Sequence, residues 1–549
     1  MHKTILIVDA RYKNQKASNE IEKVVQKQTG EYEILALTPY SYYILDQIGL
    51  KYITFHDLIS IDDFRSKVLK KYEKFSSLIL EFKEYSYLMI EFAPIITYQS
   101  YSSVLCKFLK KNSNFGGDAI YITDTKKVSQ TVFNIKSNEN GAIHYFSYIS
   151  RTVYIGQKDL TFYLGKKIEN YIILISRKNL FLEIINKIRN VPKLHYDNIF
   201  FNDFFAALPR KKVKPLLLNN YDEFKEKLWI QIDKSSFSDY IKIRFEEVVK
   251  QLDESIYRYK SLREINIEPM TYISSLDIMC RALLYRQNNI PVIIFQHGSN
   301  IHNNMFLKYG DVYYSDINLS YNEYSNKLYK KLGSRSAKVV GSILFNKNLC
   351  KTSEKFDYVY IPYCSNYEYS INRIDDTSEL SIGGFSNYER HKYIIELFGQ
   401  SFPDKKICIK LQAGTVLNQL YVPLVELSMK YSNVYIEEFT PLQEIISQSK
   451  YIISDYFSSD FTNIRIHKCK GIILLNQDEI IDASIKHDMD KMFVRCDDIR
   501  KVEALISNSD EIFKNRKIES KIIENYASKV CNTKNIVNSI YKKAYLDAE

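Results

Sequence analysis

The chain has 549 residues, 45% of them hydrophobic and 26% charged, the balance of an ordinary globular protein, and its length predicts two to four domains rather than one core. The formal net charge is +11, a mild excess that suits anionic ligands or a membrane surface without requiring either. Tyrosine (45) and phenylalanine (30) are abundant against a single tryptophan, which reads as composition bias and not as a base-stacking surface, so no nucleic-acid partner is expected.

The eight cysteines, Cys106, Cys280, Cys350, Cys364, Cys408, Cys469, Cys496 and Cys531, are scattered, with no CxxC pair and no histidine at metal spacing. That pattern predicts reduced thiols in a cytoplasmic protein and no zinc site. The opening MHKTILIVDARYKNQ has too short an apolar run for a signal peptide and reads as a first strand. No stretch reaches the roughly 18 to 20 apolar residues of a membrane span, so any contact with the inner membrane is expected to be peripheral. The densest basic run, Arg210, Lys211, Lys212 and Lys214 between Pro209 and Pro215, reads as a solvated linker in preference to a lipid headgroup contact.

In chain order, Lys3 to Asp9 predicts a buried strand, Asn19 to Gln28 a helix, Glu33 to Leu37 a strand, Ser41 to Ile48 a helix and Tyr52 to Phe55 a third strand. Short apolar runs alternating with helical patterns point to βαβ units and a parallel, doubly wound sheet. Leu88 to Lys110 reads as helical. Strands are expected at Ala119 to Thr123, Thr131 to Ile135, Ala142 to Ser150, Thr152 to Ile155 and Tyr171 to Ile175. This middle section, about residues 71–234, is taken as an insertion or a separate small domain.

Ser235 to Ile265 is helical again, followed by a helix over Leu276 to Tyr285 and an apolar strand over Pro291 to Phe295. The strand runs into Gln296, His297, Gly298 and Ser299. Ligands in open α/β sheets bind beyond the carboxyl ends of the strands, so an imidazole there, with an ordinary pKa near ~6.5, is placed to take a proton from a hydroxyl. A lone histidine can equally be structural. Val339 to Ile343 reads as a strand closing on Gly341, and the domain boundary falls between Asn346 and Phe356. Residues 1–345 and 346–549 would form separate domains.

The second half repeats the pattern. Strands are expected at Tyr358 to Pro362, Ile407 to Leu411, Val434 to Glu438, Tyr451 to Ser454 and Gly471 to Leu475, with helices at Tyr388 to Phe398, Val416 to Tyr431, Pro441 to Gln448 and Ser459 to His467. The sequence YIISDYFSSD thus reads as strand, polar turn and helix start. Ser458 and Ser459 at that start are either an ordinary helix cap or a phosphate cradle built from free N–H groups and the helix dipole.

The segments FQHGSN (Phe295 to Asn300), KVVGS (Lys338 to Ser342), IKL (Ile409 to Leu411), the run Thr440 to Phe461 and GIILLN (Gly471 to Asn476) together resemble a GT-B glycosyltransferase. The resemblance is to the group that joins capsule and surface polysaccharide transferases with CDP-glycerol glycerophosphotransferases. It implies an α/β, GT-B-like fold: two doubly wound, Rossmann-like domains facing a cleft. By the same resemblance His297 is the catalytic base or contacts the reacting phosphate, and Ser458 and Ser459 bind the donor phosphate. Gly298, Ser299, Gly341, Ser342 and Thr440 line the donor or substrate site, Lys410 offsets donor charge, and Ser386 and Arg390 offer a further anion contact. Gln412 and Ala413 stand where the relatives carry His-Pro, and Asp460 puts a carboxylate beside the supposed cradle.

The expected activity is transfer of a sugar from a nucleotide-activated donor, CMP- or CDP-linked by preference, to a hydroxyl of a surface polysaccharide or lipid-linked glycan. The donor is a substrate, with no cofactor and, given no DxD at a strand end, no metal. A CDP-glycerol-type glycerophosphotransferase, a UDP-sugar transferase or epimerase, and an inactive glycan-binding module are the alternatives.

Overall fold

A computed structural model of the chain describes residues 4–10, 17–112, 119–123, 136–138, 141–143, 149–154, 210–235, 237, 239–267, 270, 275–296, 306–341, 353–362, 385–411, 422–455, 471–475, 483–496 and 498–514, with five single positions nearer the C-terminus. The first unit runs β1 (Thr4–Asp9), α1 (Ala17–Gln26), β2 (Tyr32–Ala36), α2 (Pro39–Gln47), α3 (Phe55–Leu58), α4 (Ile61–Glu81), α5 (Leu88–Asn112), β3 (Ala119–Thr123), the short pair β4 (Lys136–Asn138) and β5 (Gly141–Ile143), and β6 (Ile149–Tyr154). Its sheet has the order β2-β1-β3-β6, every pair parallel. The unbroken apolar run of β1 is buried on both faces, as a central parallel strand must be. Thr38 caps α2 and Pro39 opens it, the arrangement its fixed φ favours.

Two local expectations give way here. Tyr52 to Phe55 is not a strand but a single bridge from Ile53 to Leu35. Its successor Thr54 donates its backbone N–H to the Asp57 carboxylate at 2.7 Å in a capping box, which turns the chain into α3. Helix α4 was not expected, although Phe64, Val68, Tyr72, Phe75 and Ile79, all buried, recur every three to four residues along it. Within the span read as an insertion, β3 and β6 belong to the first sheet. The strands expected at Thr131 to Ile135 and Tyr171 to Ile175 lie outside the described residues.

The chain continues through β7 (Arg210–Lys212), α6 (Tyr221–Lys234), α7 (Asp239–Ser261), β8 (Glu264–Asn266) and α8 (Leu276–Gln287). The basic run expected as a linker is partly a strand: β7 pairs antiparallel with β8, and Arg210 Nε lies 3.3 Å from Glu264. Next come β9 (Ile293–Phe295), β10 (Ile317–Ser320), α9 (Glu323–Lys331) and β11 (Ala337–Val339), a second parallel sheet in the order β11-β10-β9.

The remaining described elements are β12 (Phe356–Ile361), α10 (Phe385–Glu396), β13 (Ile407–Lys410), α11 (Val422–Ser428), β14 (Val434–Glu437), α12 (Leu442–Ser447), β15 (Ser449–Ser454), β16 (Gly471–Leu474), α13 (Ala483–Met492), β17 (Val494–Arg495), α14 (Val502–Ser507) and α15 (Ser509–Lys514). Their sheet is parallel throughout, ordered β14-β13-β12-β15-β16-β17. Numbered from β12, that is 3-2-1-4-5-6, the order of a doubly wound nucleotide-binding sheet. The helix over Ser459 to His467 lies outside the described residues. The expected class, α/β with parallel doubly wound sheets in both halves, is the one found.

Alternate residues of the strands feed different cores, as the two-residue period requires. Tyr358, Tyr360, Ile407, Ile409 and Ile453 face one apolar cluster, and Val359, Ile361, Cys408 and Ile452 another. The first of these clusters also takes in Leu6, Val8 and Ala36 of the first sheet together with Tyr42 and Leu45 of α2. One continuous core therefore joins the two halves, with α2 packed against α10 and α11. Each large apolar side chain fully buried there contributes about 1.5–3 kcal/mol before entropy is counted.

Candidate functional site

In a sheet of this order the strand sequence reverses between β12 and β15, and the crevice beyond their carboxyl ends is where such folds bind ligands. The residues at that point are polar and buried. Asp455, the residue after β15, extends the ladder by donating its N–H to the carbonyl of Ile361 at 3.2 Å. Its side chain accepts from the Tyr360 hydroxyl at 2.8 Å and 2.9 Å, lies 3.2 Å from His391 Nε2, and pairs with Arg390 Nε at 3.1 Å. Arg390 also donates through Nη2 to Asn387 Oδ1. Asn387, Arg390 and His391 stand at i, i+3 and i+4 of α10, so one helix face delivers all three to the strand ends.

Burial decides the charge state here. Arg390 and Asp455 are each 4% exposed, and an ion pair at that depth persists only when both partners stay. His391 is pushed below its ordinary pKa, first by burial and then by the nearby Arg390 cation, against the opposing pull of Asp455. It is therefore a neutral imidazole held edge-on to the Tyr360 ring, 6.0 Å between centroids. The cluster is a buried polar anchor at the carboxyl end of β15.

A second polar cluster closes the neighbouring strands. Lys410, at the end of β13, is 8% exposed, and its ammonium donates to the carbonyls of Leu411 and Glu438 at 2.6 Å each. Expected to offset donor charge, it here clamps the carbonyl-rich ends of β13 and β14. Thr440 lies in the turn after β14, where the Glu437 carboxylate accepts from the backbone N–H groups of Phe439 and Thr440 at 3.1 Å and 3.0 Å. Pro441 caps α12 from outside the helix rather than occupying its first turn.

In the other half, Gly341 follows β11 with φ at +81°, donating to the carbonyl of Ser320 at 3.3 Å. The left-handed backbone there favours glycine, as the expected turn requires. Gln296, at the carboxyl end of β9, is buried and accepts from the N–H of Tyr321 at 2.7 Å. His297, Gly298, Ser299, Ser342, Ser458 and Ser459 lie outside the described residues, and Ser386 is placed only as a member of α10.

The structure thus brings Arg390, Lys410 and Thr440 to one edge of one sheet and leaves Gly341 on another sheet. Asp455, His391, Tyr360 and Asn387 were not among the expected site residues. The helical spacing of Asn387, Arg390 and His391 within FSNYERH was a usable signal. Their partner 64 residues away was not.

No protein-family model matches the chain, and no curated protein does. Among solved structures, the UDP-GlcNAc 2-epimerase of Neisseria meningitidis bound to UDP-GlcNAc aligns at 10% identity and TM-score 0.26, over 98% of this chain and 100% of that one. The MnaA protein of S. aureus with UDP aligns at 9% identity and TM-score 0.28, over 100% and 97%. The HepE protein of Anabaena with UDP-glucose aligns at 9% identity and TM-score 0.31, over 49% of this chain and 76% of that one. Likeness at this level assigns no chemistry to the present residues.

Proposed function

We propose that this protein is a GT-B-type enzyme that transfers a sugar from a nucleotide-activated donor to a hydroxyl of a surface polysaccharide or lipid-linked glycan. What carries the reading is the 3-2-1-4-5-6 order of the second large sheet, with a buried polar anchor at its switch point. A nucleotide bound there would lie beyond β12 and β15, its phosphates toward the segment that Asp455 anchors and that contains Ser458 and Ser459. The anchor's charges face one another at the strand ends, and the donor phosphate falls to Ser458, Ser459 and their N–H groups. His297 would take the proton of the acceptor hydroxyl while the bond from sugar carbon to phosphate oxygen breaks and the nucleotide leaves. The resemblance of the Ser-Ser run favours a CMP- or CDP-linked donor.

Thermal-shift titration with CMP, CDP and UDP is the direct test. Stabilisation by a cytidine nucleotide supports the reading, stabilisation by UDP alone moves the donor to the UDP-sugar class, and the absence of any shift sinks the donor site. A screen of activated sugars with mass-spectrometric readout then identifies the reaction, and His297→Ala should lower turnover by about 10²- to 10⁴-fold.

A further inference from the structure

Arg286, in the last turn of α8, stands apart from the other arginines. Arg210, Arg244, Arg258, Arg335, Arg390, Arg495 and Arg500 each pair with a carboxylate. Arg281 donates to the Tyr259 hydroxyl, and Arg263 to the carbonyls of Lys260 and Leu262. Of the arginines whose side chains are described, Arg286 alone has neither an ion pair nor a side-chain hydrogen bond. The residue is half-buried, and its Nε is shut away from water as well. A donor left so costs free energy until an acceptor reaches it.

The acceptors around it are already taken. Asp316 has the strongest pull on it, yet one carboxylate oxygen accepts from Arg335 at 2.9 Å and the other from the backbone N–H of Val292 at 2.9 Å. The Tyr314 hydroxyl donates to the Glu84 carbonyl at 2.8 Å and accepts from the N–H of Tyr87 at 3.1 Å. The helix end is closed too: the carbonyls of Leu284 and Tyr285 each accept two hydrogen bonds, from Asn288 and from Asn288 with Ile290. Burial and the Arg335 cation lower the pKa of Arg286 against the pull of Asp316, Tyr314 and Glu84, so these neighbours do not offset the cost of its burial.

We propose that Arg286 is the centre of a binding site for a compact oxyanion at the amino edge of the sheet β11-β10-β9. A guanidinium offers a planar fork of N–H donors, and a phosphate or carboxylate group offers two oxygens at the matching spacing. Arg335 adds a second positive charge beside it. Val292 and Asp316 immediately precede β9 and β10, whereas Gln296 and Gly341 lie at the carboxyl ends of this sheet. The anion therefore binds at the opposite edge from the one where ligands of such sheets react. Its site is separate from the proposed donor site and does not depend on it.

The test is thermal unfolding of the full chain at pH 7, with sodium phosphate or sodium acetate replacing sodium chloride at constant ionic strength. Tm should rise saturably, by about 1–2 °C over chloride, with at least one of the two, and which salt does so tells whether the site takes phosphate or carboxylate. Arg286→Gln, which keeps the stem and loses the fork, should abolish the rise. Arg335→Gln frees the Asp316 carboxylate for Arg286 and should cut the rise by at least half. Arg244→Gln, exposed on α7, should leave it intact. Any shift produced by CMP, CDP or UDP should survive Arg286→Gln, which separates this site from the donor site. No rise beyond chloride, a rise that survives Arg286→Gln, or an equal loss in Arg244→Gln overturns the proposal; if Arg286→Gln does not fold, an undiminished rise in Arg335→Gln overturns it.

Discussion

At the scale of single residues, Asp455 is the position on which most depends. It is the acceptor for Tyr360 and the counter-charge for Arg390, so Asp455→Asn leaves a buried guanidinium without its anion. The loss should be about 3–5 kcal/mol, read from denaturant unfolding. His391 yields a pH prediction. Its folded pKa lies below its ordinary value, so the unfolded chain binds the proton more readily, and stability is full above ~6.5 and falls as pH drops below that value. The slope approaches about 1.4 kcal/mol per pH unit for this one proton, and His391→Gln should flatten it in urea titrations across the same window. Gly341, at φ +81°, predicts a third outcome: Gly341→Ala should cost about 1–2 kcal/mol through backbone strain.

At the scale of elements, legibility followed the source of the information. Strands β12, β13, β15 and β16 were readable because each is a short apolar run that needs only its own residues to declare itself. The two residues of β17 gave no such run, and Tyr52 to Phe55 misled because its composition suits a strand while Thr54 and Asp57 form a cap. Helix α4 went unread although its apolar spacing is regular, since lysines fill the positions between. The site was legible in part: Lys410 does end its strand, but the carbonyl of Glu438 that it reaches and the pairing of Arg390 with Asp455 are set by long-range packing. Gly471 shows the same limit. A Cβ added there would stand 2.2 Å from the ring of Phe513 on α15, a clash nothing in the local sequence announces. Gly471→Ala should therefore cost about 1–3 kcal/mol by overpacking, visible as a lowered Tm, whereas Gly30→Ala meets open space and should not clash.

At the scale of the whole molecule, the two halves are joined by apolar surface and, among the described polar contacts, by the Asp46 carboxylate. Asp46 of α2 accepts from the Tyr388 hydroxyl at 2.7 Å, from Lys392 at 2.6 Å and from the Tyr52 hydroxyl at 3.1 Å, and the rings of Tyr42, Tyr52, Phe385 and Tyr388 pack beside it. Asp46→Ala strands these donors and should cost about 1–3 kcal/mol, with calorimetry showing one transition in the wild type and a broadened or split one in the variant. Tyr526 is tied in as well: Asn322 at the start of α9 donates to its carbonyl at 2.7 Å, and Tyr324 stacks on its ring at 5.1 Å. That contact has a temporal side. During synthesis at about 5–20 residues per second, Tyr526 is made roughly ten to forty seconds after α9, so that face of the first half waits, incomplete, for a segment made much later.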